Sequence, residues 1–260
     1  MCIAKKEFIL CRNCPQRTNN KPSNIPNGYY YDKINGTNGT TVLRECSCHI
    51  TWRKERELEY KLEKSNLLSD YKFSDYKGSK SLEDVRALEF MANNFDKFKY
   101  KKMVYVCGSN GTQKTSMVQA LGKELIKSGY TAYYTLMQEL INNLMPDFSK
   151  DDDTAREAFL KKCREVDLLI IDEAWDKSKV TLYNSGYQIP FLDSFLRQRF
   201  ELNKGSILFV SNRQPSEIST QGFGISLQNF VTRNTQGSLL IFEDKYIENV
   251  NQIDRLSLFK

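Results

Sequence analysis

The sequence lacks any apolar run long enough to cross a bilayer, and its first residues lack the charged-then-apolar order of a secretory signal. It also lacks internal repeats and long low-complexity stretches. These absences argue against a membrane-spanning or secreted protein, so we predict a cytoplasmic protein with no membrane partner. Its 260 residues, 40% hydrophobic and 27% charged, suffice for one α/β domain of ordinary size and a small appendage.

Histidine is scarce, and neither sign of charge dominates. The net charge of +6 is compatible with nucleic acid as a partner, but a mildly basic soluble surface explains it equally well. His49 is the only histidine, whereas there are seven cysteines. In a cytoplasmic chain, cysteines indicate metal ligands or buried thiols rather than disulfides.

The cysteines divide into two groups by position. Cys107 and Cys163 lie in apolar segments and are expected in the core. Two closely spaced pairs can supply the four thiolates of a tetrahedral zinc site, Cys11 with Cys14 and Cys46 with Cys48. A β-hairpin is predicted between the pairs, which gives a zinc-ribbon-like knuckle whose metal supplies much of its folding free energy. His49 or Cys2 is an alternative ligand, and buried or free thiols are the alternative to a metal site.

Residues 103–116 are the centre of the chain's pattern. Residues 103–107 form an apolar run typical of a strand buried on both faces, and a helical pattern starts at Lys114. The loop between them therefore lies at a helix N-terminus, which favours an anion. Its order matches the P-loop pattern G-x-x-x-x-G-K-[ST] with one departure. The predicted nucleotide contacts are Gly108, Ser109, Asn110, Gly111, Thr112, Gln113, Lys114, Thr115 and Ser116.

The departure is Gln113, which replaces the last glycine of the pattern. Its side chain either crowds the phosphates or points away from them. Lys114 can still reach the β- and γ-phosphates, and the Thr115 hydroxyl can ligate Mg²⁺. An ordinary strand-to-helix turn with a chance match is the alternative.

A second motif argues against a chance match in an ordinary strand-to-helix turn. Residues 168–171 are apolar, and Asp172 and Glu173 follow them directly. This is the pattern of a Walker B strand. Of two adjacent acids at the carboxyl end of a parallel strand, one can hold Mg²⁺ and the other can polarise the attacking water. We assign Asp172 to magnesium and Glu173 to the water.

The remaining pattern predicts a parallel sheet with helices between its strands. Strands are predicted at 131–135, 206–210 and 237–242, and helices at 136–145, 152–166 and 190–202. Asn212 follows the strand 206–210, where it can contact the γ-phosphate and the attacking water, the position called sensor 1. A plain loop asparagine is the alternative.

The chain is predicted to have three parts. The zinc knuckle spans 1–50, a connecting helix and linker span 51–80, and the ATPase domain spans 81–260. Within the last part, a helix over 81–98 is predicted to begin with Ser81 as its N-cap.

The block 104–242 resembles the AAA+ ATPases of the DnaC/DnaI helicase-loader type, most closely the version carried by phages and mobile elements. The resemblance rests on the four knuckle cysteines, Lys114-Thr115, Asp172-Glu173, the stretch 185–197 and Ser211-Asn212. It implies a P-loop AAA+ sheet without a C-terminal lid domain. It also implies an assembly of several copies, in which an arginine from one subunit completes the next subunit's site. Arg233 resembles that arginine, with Arg199 as second choice and an ordinary surface arginine as the alternative.

The resemblance further implies a slow ATPase in a bacterial host cell that binds ATP and Mg²⁺, associates with a replicative helicase and helps place it on single-stranded DNA. In that family the N-terminal segment faces the helicase, so the zinc knuckle is predicted to bind this partner. Four residues after Walker B have the composition of a single-strand contact, although a polar loop explains them too: Lys177, Lys179, Tyr183 and Tyr187. The alternative functions are an IstB-type transposition ATPase and a nucleotide-binding adaptor with little hydrolysis.

Overall fold

A computed structural model describes residues 29–33, 41–100, 102–145, 153–183, 186–202 and 205–243. The chain forms two units, Met1–Lys61 and Leu62–Lys260. Across the described ranges, no helix is both long and apolar enough to cross a membrane. The division into knuckle, linker and ATPase domain stays a prediction.

The first unit contains the predicted hairpin. Strand β1 (Tyr29–Lys33) pairs antiparallel with β2 (Thr41–Glu45), with Tyr29 opposite Glu45. Helix α1 (Ser47–Lys64) follows and begins four residues before the predicted position. Because the helix starts early, Cys48 and His49 lie in its first turn.

The second unit is built on a five-stranded sheet in which every neighbouring pair is parallel, as predicted. The strand order is β4-β5-β6-β3-β7. The strands are β3 (Met103–Gly108), β4 (Ala132–Leu136), β5 (Leu168–Asp172), β6 (Ser206–Ser211) and β7 (Leu239–Phe242). The carboxyl ends of β3, β5 and β6 therefore lie side by side, with β6 in the middle.

Helices connect these strands. They are α2 (Leu82–Asn93), α3 (Lys114–Lys127), α4 (Met137–Leu144), α5 (Thr154–Glu165), α6 (Gln188–Glu201) and α7 (Ile225–Asn234). Helix α7 was not predicted as a helix. Ser81 is the N-cap residue of α2, as predicted, although its hydroxyl makes no cap bond to the helix and instead accepts a hydrogen bond from the Glu243 backbone N–H at 2.8 Å.

The core covers both faces of the sheet. Residues of β3, β5 and β6 are almost fully buried, which explains why their sequences are apolar without alternation. Cys107 and Cys163 are buried there, as predicted. Gly108 ends β3 with φ 149°, and a Cβ at this position would lie 2.1 Å from the Phe242 carbonyl oxygen. Only glycine therefore lets the chain leave β3 beside β7 and enter the loop.

Candidate functional site

A hollow opens at the carboxyl ends of β3, β5 and β6. It brings together most of the residues that the two motifs predicted, namely Asn110, Gly111, Thr112, Gln113, Lys114, Thr115, Asp172, Glu173 and Asn212. Ser211 and Lys179 also line it. Gly108, Ser109 and Ser116 do not line the hollow. The hollow lies at the edge of the sheet formed by the carboxyl ends of its strands, where parallel α/β sheets bind ligands.

Lys114 lies at the start of α3 with its ammonium turned onto the loop. Its Nζ donates to the Ser109 carbonyl at 2.7 Å and to Thr112 Oγ1 at 3.2 Å. Burial lowers the pKa of Lys114 below its ordinary value, while the nearby Asp172 carboxylate opposes this shift. The loop therefore holds a cation at a helix N-terminus, where phosphate oxygens are favoured.

Asp172 is held by three donors. Thr115 Oγ1 donates to Asp172 Oδ2 at 2.7 Å, and the Tyr134 hydroxyl donates to the same oxygen at 2.8 Å. The Glu173 backbone N–H donates to Asp172 Oδ1 at 2.6 Å. The Thr115 and Asp172 oxygens are thus close enough to share one Mg²⁺, which prefers oxygen ligands of this kind.

Tyr134 was not predicted as a site residue. It lies on β4, and burial raises the pKa of its hydroxyl, with the Asp172 carboxylate adding to the shift. The hydroxyl therefore stays protonated and donates to Asp172. Its position on the strand next to Walker B was the available signal.

Glu173 follows Asp172 in a left-handed backbone conformation, with φ 51°. The next residues fasten this turn to β6, since the Ala174 N–H donates to the Val210 carbonyl and Ser211 Oγ donates to the Ala174 carbonyl. The Glu173 carboxylate meets Lys179 Nζ at 3.3 Å. Glu173 is therefore positioned at the hollow and ion-paired there.

Asn212 lies at the tip of β6, between the P-loop and Walker B strands. Burial would raise the pKa of Asp176, but hydrogen bonds from Ser178 and Asn212 and the charge of Arg213 lower it below its ordinary value. The carboxylate of Asp176 thus links Asn212 to the loop after Walker B. Asn212 and Glu173 thus line the same hollow.

Gln113 has the backbone conformation that glycine usually supplies, with φ 62°. Its side-chain Oε1 accepts a hydrogen bond from the Lys77 backbone N–H at 3.1 Å. The side chain therefore contacts the predicted linker, and of the two possibilities raised by the sequence, the structure favours the one that leaves the phosphate position open.

The two arginines proposed to act between subunits differ sharply. Arg199 is 1% exposed and donates to the carbonyls of Cys163, Arg164, Val166 and Ser206. The second choice was therefore wrong, because a guanidinium enclosed in this way cannot reach a neighbouring subunit. Arg233 is exposed in the last turn of α7 and has no acidic partner among the described residues.

The zinc ligands can be followed only in part. Cys46 Sγ and Cys48 Sγ lie 2.8 Å apart, and His49 Nδ1 lies 2.7 Å from Glu45 Oε1. Cys2, Cys11 and Cys14 lie outside the described residues. No group of three or more metal-binding side chains occurs in the part of the chain that the structure describes. The zinc site therefore stays a prediction.

The residues predicted to contact single-stranded DNA are exposed. Tyr183 and Tyr187 are 63% and 51% exposed, and Lys177 and Lys179 also lie on the surface. Lys179 additionally reaches the hollow, which the sequence did not indicate.

Fold and site together define a P-loop protein with an AAA+-like fold, in which the P-loop and Walker B strands lie on either side of a third strand. Residues 42–180, more than half of the chain, match the family described as IstB-like ATP binding protein. The chain belongs to that family, whose description names ATP as the ligand.

Solved structures of three replication proteins are among those that share the fold. The chain matches AMPPCP-bound DnaA from Aquifex aeolicus at 19% identity and a TM-score of 0.53, over 68% of this chain and 51% of that one. It matches the DnaC helicase loader at 19% identity and a TM-score of 0.52, over 66% of this chain and 96% of that one. It matches DnaI at 17% identity and a TM-score of 0.51, over 70% of this chain and 90% of that one. The resemblance to DnaC/DnaI-type AAA+ ATPases is thus confirmed for the fold.

One curated relative also matches. The chain is 35% identical over 66 residues to the uncharacterized protein YdaV of Escherichia coli strain K12. The match covers 25% of this chain and 26% of that protein. The chain thus spans about a quarter of this relative and about half of the DnaA chain.

Proposed function

We propose that this protein hydrolyses ATP and uses the cycle of binding and hydrolysis to help place a replicative helicase on single-stranded DNA. The observation that carries the ATPase part is the hollow itself, in which Lys114, the Thr115–Asp172 pair and Glu173 converge. The helicase part is supported by the family and by the fold shared with the DnaC helicase loader.

Each site residue has a distinct task in this proposal. Lys114 binds the β- and γ-phosphates, and Thr115 and Asp172 hold Mg²⁺, which neutralises charge that develops on the phosphate oxygens. Glu173 accepts a proton from the attacking water, and Asn212 orients that water. Since ATP joins neighbouring copies of the chain, its hydrolysis removes the bias towards the assembled state.

The test is nucleotide binding and phosphate release by the purified full chain, with and without single-stranded DNA. Lys114→Ala is expected to lose binding, because no other buried cation lines the described hollow. Glu173→Gln is expected to bind ATP without turnover. Failure of the parent protein to bind ATP would overturn the proposal.

Two alternatives are separated by the same measurements. The family match equally supports an IstB-type transposition ATPase, for which duplex DNA would be bound more tightly than single strands. A nucleotide-binding adaptor is supported by the Lys179–Glu173 ion pair, which occupies the proposed base. It would bind ATP and release no phosphate even with DNA present.

For the N-terminal cysteines we propose a zinc knuckle that binds the helicase. The adjacent Cys46 and Cys48 sulfurs support it, since thiolates within one turn suit zinc. Chelation with verified zinc loss should abolish helicase association in a pull-down assay, whereas ATP binding should persist. Association that survives zinc loss would contradict the knuckle's role.

A further inference from the structure

Two cations line the hollow, and they are held very differently. Lys114 is 6% exposed, and its ammonium donates to two oxygens of the loop. The Lys179 side chain is 43% exposed, and the contact described for its ammonium is the Glu173 carboxylate, at 3.3 Å. Lys114 is therefore a fixed part of the P-loop, whereas Lys179 is a cation on a long side chain that can change partners.

The backbone beneath Lys179 is anchored. The Lys179 and Val180 N–H groups donate to the Asp176 carbonyl at 2.8 and 2.9 Å, and Val180 is buried. Asp176 Oδ1 also accepts hydrogen bonds from the Ser178 N–H and hydroxyl. The turn thus fixes the Cα of Lys179 at the rim of the hollow and leaves only its side chain to move.

The Lys179–Glu173 ion pair is a weak one. Both side chains are about two-fifths exposed, and ion pairs at such sites are screened by water and salt. A phosphate carries more negative charge than a carboxylate and offers several oxygens to an ammonium. A terminal phosphate bound beside Glu173 would therefore be the stronger partner for the Lys179 ammonium.

We propose that Lys179 contacts the γ-phosphate of ATP and pairs with Glu173 when no γ-phosphate is bound. This inference rests on the proposed ATPase function and adds a residue that distinguishes ATP from ADP. With Lys179 on the phosphate, the Glu173 carboxylate is released to take the proton of the attacking water. The water oxygen forms the new bond to phosphorus, the bond to the bridging oxygen breaks, and its electron pair leaves with ADP.

The experiment measures the affinity of the full chain for a non-hydrolysable ATP analogue and for ADP, both with Mg²⁺. Lys179→Gln should reduce the preference for the analogue over ADP by about tenfold, since one charged hydrogen bond is lost, while ADP affinity stays within about twofold. Lys179→Arg should retain most of the preference. Lys177→Gln is the matched control, because Lys177 is exposed on the same loop but does not line the hollow.

The outcomes separate this inference from the function on which it rests. If the parent binds neither nucleotide, the ATPase proposal fails. Suppose instead that the parent binds both nucleotides. If Lys179→Gln then leaves the preference for the ATP analogue unchanged, or weakens ADP binding as much as analogue binding, only the role of Lys179 fails. An equal loss of preference in Lys177→Gln would mean that the charge of the loop as a whole is responsible, and would also overturn the specific contact.

Discussion

Gln113 occupies the position where the P-loop pattern has its last glycine, and its conformation shows what the replacement costs. A left-handed backbone costs a residue with a side chain about 1–2 kcal/mol. The hydrogen bond from the Lys77 N–H to its side chain recovers about 1 kcal/mol of this. The glutamine is thus compatible with a working loop and ties the linker to it.

Gln113→Gly should therefore change ATP affinity and phosphate release by less than about threefold, because the wild-type side chain is directed to Lys77. The linker, in contrast, should loosen, and hydrogen exchange at the Lys77 amide should become faster. The two readouts are phosphate-release kinetics and hydrogen exchange by mass spectrometry. A tenfold gain in hydrolysis would mean that the glutamine obstructs the phosphates.

At the scale of elements, Arg199 joins two helices and a strand. It lies on α6 and donates to carbonyls at the end of α5 and to the Ser206 carbonyl in β6. Burial lowers the pKa of Arg199 to about 10, so the side chain remains charged at neutral pH. Those helix-end carbonyls have no partner within their own helix, and a cation suits that end of the helix dipole.

Arg199→Met should destabilise the protein by about 3 kcal/mol, because the carbonyls stay buried after their donor is removed. Arg197→Met on the same helix is the control. Arg197 pairs with Asp193 near the surface, so its loss should cost less than about 1 kcal/mol. Urea denaturation monitored by circular dichroism measures both, and equal losses would refute the capping explanation.

The strands and motifs were predictable because their signals are local. Strands buried on both faces must be apolar throughout. The residues within the P-loop motif are neighbours in sequence, and so are the residues within the Walker B motif. Helix α7 was missed although Leu227, Phe230 and Val231 have helical spacing and are buried on one face. The contacts of Tyr134 with Asp172 and of Arg199 with α5 join residues more than thirty positions apart, so no local pattern announces them.

At the scale of the whole molecule, Arg233 bears on how copies of the chain assemble. Its side chain is exposed on α7 and does not line the hollow of its own chain, which is the placement expected of an arginine that acts on a neighbour. Arginine stabilises charge on a transferring phosphate when a second subunit supplies it. If that is its task, the defects of an Arg233 variant and a Glu173 variant lie in different subunits of one shared site.

Arg233→Ala and Glu173→Gln should each lose most phosphate release when assayed alone. Mixing the two should restore part of it, since some interfaces then pair an intact Glu173 with an intact Arg233 from the neighbour. Arg86→Ala, an exposed arginine on α2, is the control and should retain activity alone. If the mixture stays inactive although the two variants assemble together, Arg233 does not act across the interface; if Arg233→Ala is fully active, it has no part in hydrolysis.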